Sequence, residues 1–125
     1  MNTKIRQIIV PEHTDDRGTL HAIDEELLPF VPRRVFYLEH VPTGKSRAGH
    51  AVDAELFIMA LKGHATILAD KEEVIMESNT RTGYYIPAYT FIKLSLFSDD
   101  ALIAIYASKA YSQTRYFSKD EIPAQ

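Results

Sequence analysis

Five histidines, an arginine-glycine turn and a few arginines and tyrosines hold most of the chemistry open to this chain. The histidines are His13, His21, His40, His50 and His64. An imidazole takes up and returns protons near neutral pH, so a histidine set in a cavity is a natural acid-base group. Metal binding asks for more, at least three converging ligands, often including a His-x-His pair on a strand where residues two apart share a face. The chain has no His-x-His, and around His50 the next donor is Glu55, so neither a metal site nor a cofactor is expected. Asp15-Asp16-Arg17-Gly18 offers a different chemistry, because arginine forks onto carboxylate or phosphate oxygens and glycine permits close approach. The same turn can also close on itself, with Arg17 paired to Asp15 or Asp16 at the surface. Arg47 follows Gly44-Lys45-Ser46, a loop of the kind that carries anion contacts on a rigid scaffold. Without cysteine there is no thiolate nucleophile and no disulfide, which suits a reducing cytoplasm.

These side chains need a scaffold, and 125 residues make one domain, 1–125, with enough chain for its own core. The balance of 46% hydrophobic and 25% charged residues excludes disorder, collagen-like repeats and coiled coils. A formal charge of −3 lacks the field that drives nucleic-acid binding, so any anion must be met locally. No apolar run is long enough for a signal peptide or a membrane span. Apolar residues arrive in short bursts rich in Ile, Val, Tyr, Phe and Leu, with a period of two. They predict nine strands, at residues 5–10, 19–23, 34–40, 55–61, 64–69, 73–77, 83–87, 91–97 and 101–107, with one helix-like turn at 118–122. The gaps are too short for crossover helices, so the sheets must be mainly antiparallel and the class all-β, a jelly-roll barrel. Residues 55–61 and 101–107 are almost wholly apolar, which implies cover on both faces, from the core or from an oligomer.

The spacing of Gly44, His50, Glu55 and Gly63 resembles the first cupin motif, with Val52 where its second histidine stands. A longer series carries a narrower likeness. It runs through Asp15-x-Arg17-Gly18-x-Leu20, Arg34-Val35-Phe36-Tyr37, Arg47-x2-His50-Ala51, Gly83-Tyr84-Tyr85-Ile86-Pro87 and Ala107-Ser108-x2-Tyr111. This order resembles the sugar-nucleotide 3,4-ketoisomerases, small cupins of the WxcM-like or FdtA/QdtA type. The resemblance implies a cupin-like jelly roll, a homodimer, and metal-independent movement of a keto group on a dTDP-4-keto-6-deoxyhexose through an enediol, in the making of surface glycans. It casts His50 as the principal acid-base, Tyr37 as its assistant, and Arg17 and Arg47 as ligands of the diphosphate or sugar.

The chain departs from the family at two places. The second histidine of the pair is replaced by Val52, or by Asp53 under a shifted gap, and no histidine follows Pro87 in Ala88-Tyr89-Thr90-Phe91-Ile92-Lys93. Val52 cannot move a proton. Four further residues complete the expected binding set: Glu55 with Arg34 or Arg47 as its partner, Tyr85 from the group Tyr84, Tyr85 and Tyr89, one of which can stack on thymine, Lys93 either as the cation of a remodelled pocket or simply in water, and Arg34 itself. The runner-up reading is a catalytically weakened cupin that binds a sugar nucleotide or carbohydrate as a regulatory module. A metal-dependent cupin has too few ligands here.

Overall fold

The computed structural model describes residues 5–123. The strands are β1 (Arg6–Ile9), β2 (Glu12–Asp15), β3 (Gly18–His21), β4 (Arg34–Glu39), β5 (Arg47–Val52) and β6 (Leu56–Lys62), followed by β7 (His64–Ala69), β8 (Glu72–Glu77), β9 (Thr82–Ile86), β10 (Ile92–Ser95), β11 (Leu102–Ala107) and β12 (Tyr116–Phe117). One sheet has the order β1-β9-β6-β11-β4, the other β12-β5-β10-β7-β8, and β2 with β3 forms a separate hairpin. Every strand pair is antiparallel. The fold is thus an all-β, cupin-like jelly roll whose two sheets face each other without closing into a full barrel.

All nine expected strands are present within a few residues. The helix-like turn at the end is a single 3-10 turn, Lys119–Glu121, held by a capping box between Ser118 and Glu121. Three strands lie where none was expected: β2, β5 and β12. Each lacks the signal that marks a half-buried strand. β2 is a polar hairpin arm, β12 has two residues, and β5 reads Arg-Ala-Gly-His-Ala-Val with no alternation.

The main core lies between the sheets and draws Leu56, Ile58, Ile103 and Ile105 from one side and Ile67, Met76, Ile92 and Leu94 from the other. A second cluster covers the outer face of β6, where Phe57 and Met59 meet Val10, Leu28 and Phe30. This corrects an inference from the apolar runs. The outer faces of β6 and β11 are covered by residues 23–30 of the same chain, with Ile23, Leu27 and Tyr106 packed around them, so these runs need no partner subunit. Gly83 is part of that packing. A Cβ there would overlap the Phe57 ring, whose residue is fully buried.

β5 is irregular. Ile92 of β10 lies opposite His50 and Lys93 opposite Ala48, so Gly49 is an extra residue with no partner, a bulge. Ala48 and Gly49 both take left-handed backbone angles, φ 68° and 85°. A Cβ on Gly49 would meet nothing within 4 Å, so only the backbone conformation demands glycine.

These two glycines answer different tests in urea denaturation. Gly83→Ala, a steric clash in a packed cluster, is expected to cost about 1–3 kcal/mol. Gly49→Val is expected to cost at least about 1–2 kcal/mol through backbone strain alone. Ala48→Gly, which relieves the same strain at the cost of unfolded-state entropy, is expected to stay within about 0.5 kcal/mol of the parent chain.

Candidate functional site

A cavity of about 410 Å³ opens between the sheets, at the end where β4 and β5 lie. β4 is an edge strand with strict alternation, so Arg34, Phe36 and Leu38 face inward while Val35 and Tyr37 face outward. From β5 come Arg47, His50 and Val52, and Ile92 and Leu94 of β10 form the wall opposite. Leu56 and Ile105 close the floor, and Tyr111 and Tyr116 flank the mouth from the C-terminal segment.

The bulge at Gly49 builds this site. Arg47 and His50 are three residues apart, which on a regular strand would send them to opposite faces. The extra residue restores parity. Arg47 lies opposite Leu94 and His50 opposite Ile92, both cavity residues, so both side chains share the cavity face. His50 and Val52 then follow ordinary alternation, which settles the register: the position paired with His50 is Val52. Asp53 turns away. Its carboxylate is 7% exposed, ion-paired to Lys109 at 3.0 Å, and accepts the Arg115 backbone N–H at 2.8 Å. Burial works to raise its pKa, but those hydrogen bonds and the Lys109 charge outweigh it and hold the group below the usual carboxylate value.

His50 is half-buried, and that burial pushes its pKa below 6.5, against a smaller opposing effect of a backbone hydrogen bond at Ala48. A neutral imidazole at neutral pH is the form that can accept a proton. Tyr116 meets the His50 ring edge-on, centroids 4.9 Å apart at 61°. Tyr116 also lies directly opposite Val52 in the β12–β5 pair. Arg34 stacks over Phe36 at 4.7 Å and over Tyr111 at 5.5 Å. Its Nε is buried with no hydrogen-bond partner among the described residues, a donor left open to an acceptor. Among the described residues two arginines and no carboxylate line the cavity of a chain whose net charge is −3, so the local charge of the cavity is the reverse of the chain's and suits an anion. Among the described residues no group of three histidine, aspartate or glutamate side chains is placed to ligate a metal ion.

Of the residues expected from sequence, the structure brings Arg34, Arg47 and His50 together and leaves the others outside. Tyr37 is 63% exposed on the outer face of β4, and Phe36 takes the inward position, so within this chain the assisting phenol is not Tyr37. Arg17 is paired to Asp15 at 2.7 Å on the exposed β2–β3 hairpin. Glu55 is not partnered by an arginine but accepts the Tyr85 hydroxyl at 2.6 Å. Burial first, then the bond to Glu55 and its charge, push the Tyr85 pKa up to about 12. Arg6 caps the other side of that ring at 4.9 Å, which excludes Tyr85 from stacking in the cavity. Lys93 lies between two inward residues and is exposed on the opposite face. Phe36, Tyr111 and Tyr116 were missed. The alternation Arg34-Phe36-Leu38 was legible, but Tyr111 joins the site from a 3-10 turn and Tyr116 from a two-residue strand, neither of which carries a periodic signal.

An open jelly roll with one histidine above an apolar floor and two arginines beside it defines a small cupin-like protein whose cavity has the charge and shape to suit an anionic organic ligand. The chain belongs to the FdtA family, WxcM-like C-terminal, whose model matches residues 1–121. It is 29% identical over 107 residues to a TDP-4-oxo-6-deoxy-alpha-D-glucose-3,4-oxoisomerase from Aneurinibacillus thermoaerophilus, covering 82% of this chain and 77% of that one. The fold matches the WlaRB TDP-quinovose 3,4-ketoisomerase from Campylobacter jejuni with a TM-score of 0.86 at 22% identity, over 95% of each chain. It also matches a variant of the 3,4-ketoisomerase QdtA from Thermoanaerobacterium thermosaccharolyticum in complex with TDP-4-keto-6-deoxyglucose, with a TM-score of 0.78 at 21% identity, over 92% of this chain and 88% of that one.

Two results are expected. An NMR titration places the His50 pKa below 6.5. The unfolded chain then binds more protons than the folded one as pH falls from about 6.5 towards that lower value, so stability declines in this window, and His50→Gln flattens the decline. Tyr85→Phe removes a hydrogen bond to a carboxylate outside the cavity, and is expected to cost about 1–2 kcal/mol in urea denaturation while leaving ligand affinity unchanged.

Proposed function

We propose that the chain is a nucleotide-diphosphate-sugar 3,4-ketoisomerase, acting on a dTDP-4-keto-6-deoxyhexose by acid-base catalysis without a metal. The observation that carries this reading is a neutral-favoured imidazole in an apolar cavity ringed by Arg34 and Arg47, with no carboxylate beside it. Family membership and the activities of the relatives support it. The isomerisation is a proton relocation. A base takes the proton at C3, the C4 carbonyl oxygen gains one, and the enediol collapses in the other direction. His50 is the base. The arginines cannot serve, because a guanidinium keeps its proton at any working pH, but they suit the diphosphate, to which Arg34 Nε and the Arg47 fork can donate. The apolar floor of Val52, Leu56 and Ile105 excludes water and accepts the deoxygenated C6 side of the sugar.

We further take the enzyme to act in the cytoplasm, in the supply of deoxysugars for surface glycans, as a homodimer. No helix among the described residues is long and apolar enough to cross a membrane. With β6 and β11 covered from within, the dimer rests on the family resemblance and on exposed apolar side chains such as Ile9 and Leu20, and light scattering on the purified chain tests it.

The activity itself is tested by mixing the protein with dTDP-4-keto-6-deoxyglucose in D2O and following C3 and C4 by NMR. Deuterium entering both positions is expected with wild type and not with His50→Ala. Binding without exchange would replace the enzyme reading by that of a weakened module, for which Val52 in the cavity is the motive. Arg34→Ala and Arg47→Ala are each expected to weaken TDP binding at least tenfold, roughly the loss of one charge-assisted contact.

A further inference from the structure

Enediol chemistry on a hydroxy ketone moves two protons, one between carbons and one between oxygens, and a single imidazole cannot hold both at once. Position 52, which shares the cavity face with His50, is valine. Among the described lining residues, once the permanently charged arginines are set aside, only His50, Tyr111 and Tyr116 carry a hydroxyl or imidazole proton. Tyr111 lies further out, 70% exposed and under the Arg34 guanidinium. Tyr116 is 45% exposed, lies across the ladder from Val52, and is in edge contact with His50 at 4.9 Å. Directly opposed residues of an antiparallel pair point to the same face, so the phenol of Tyr116 enters the cavity beside the position where a second acid-base group is missing.

We infer that Tyr116 is the second proton carrier of this site, serving the substrate oxygens while His50 serves the carbons. The inference rests on the ketoisomerase reading above and adds the division of labour. In the first step His50 takes the C3 proton, the C3–H pair becomes the C3–C4 double bond, and the carbonyl pair moves to O4, which takes the Tyr116 proton. The intermediate is a neutral enediol between an imidazolium and a phenolate. In the second step the phenolate takes the O3 proton, the C3 carbonyl forms, and the double-bond pair takes the proton of His50 at C4. Both side chains return to their starting forms with no other reactant. Because one imidazole serves both carbons, the proton travels along one face of the sugar.

The test is kinetic, on the full chain with dTDP-4-keto-6-deoxyglucose. Tyr116→Phe keeps the ring against His50 and removes the hydroxyl. It is expected to lower kcat by ~100-fold or more with KM within about threefold. Tyr37→Phe, on the exposed outer face of β4 and outside the cavity, is expected to stay within about threefold of wild type in kcat. Adding Val52→His to Tyr116→Phe, which restores a proton carrier on the same face, is expected to recover at least about tenfold, a rescue that a merely structural tyrosine would not show. In wild type, substrate deuterated at C3 is expected to give product carrying part of that deuterium at C4 in a single turnover in H2O, the rest exchanging with solvent while it sits on the imidazolium. Activity of Tyr116→Phe within about threefold of wild type, with His50→Ala inactive, overturns the inference and leaves the ketoisomerase reading standing. A wild-type protein that binds TDP but never turns over overturns both readings.

Discussion

One extra residue in β5 governs what this cavity can do. A β-strand alternates its side chains without exception unless a bulge resets the count, and Gly49 resets it between Arg47 and His50. The Arg47 guanidinium and the His50 imidazole therefore reach the same face from positions three apart. The device needs left-handed backbone at two consecutive residues, φ 68° at Ala48 and 85° at Gly49, and only the second is a glycine. The ladder to β10 on one side and β12 on the other holds this strained turn in place.

The chemistry of the cavity follows from what surrounds those two side chains. Apolar walls from both sheets withdraw water from His50, and desolvation favours its neutral form. The same walls leave Arg34 Nε buried without a partner, a cost the chain bears unless an acceptor arrives with a ligand. Base and cations thus gain from one environment in different ways. The imidazole is readied to accept a proton, and the guanidinium is readied to bind an anion more strongly than it could in water.

The C-terminal segment is tied to this arrangement by an acid that the chemistry does not use. Asp53 is buried, paired to Lys109 and bonded to the Arg115 backbone, so it pins the chain just before β12. That pin sets the register Tyr116 opposite Val52 and brings a phenol to the rim of a site otherwise short of protic groups. A group that might have been read as a proton donor is instead the anchor for another.

Nine strands, the antiparallel jelly roll, the likeness to the ketoisomerase family and the choice of His50, Arg34 and Arg47, which line one cavity, were all legible in the chain, because hydrophobic period and short motifs are local properties. Tyr37, Glu55, Tyr85, Lys93 and Arg17 were misplaced relative to the cavity for a shared reason. Each has the right chemical type, but the face it occupies depends on strand parity or on a partner distant in sequence: Glu55 and Tyr85 are 30 residues apart and satisfy each other. The sequence by itself determined the fold class and the family, and it picked out three residues, Arg34, Arg47 and His50, that come to share the cavity. Only the tertiary structure decided which side chains share a face, since parity is set by a bulge that composition does not announce, and a two-residue strand such as β12 forms only when a neighbouring strand's unpaired edge is there to receive it.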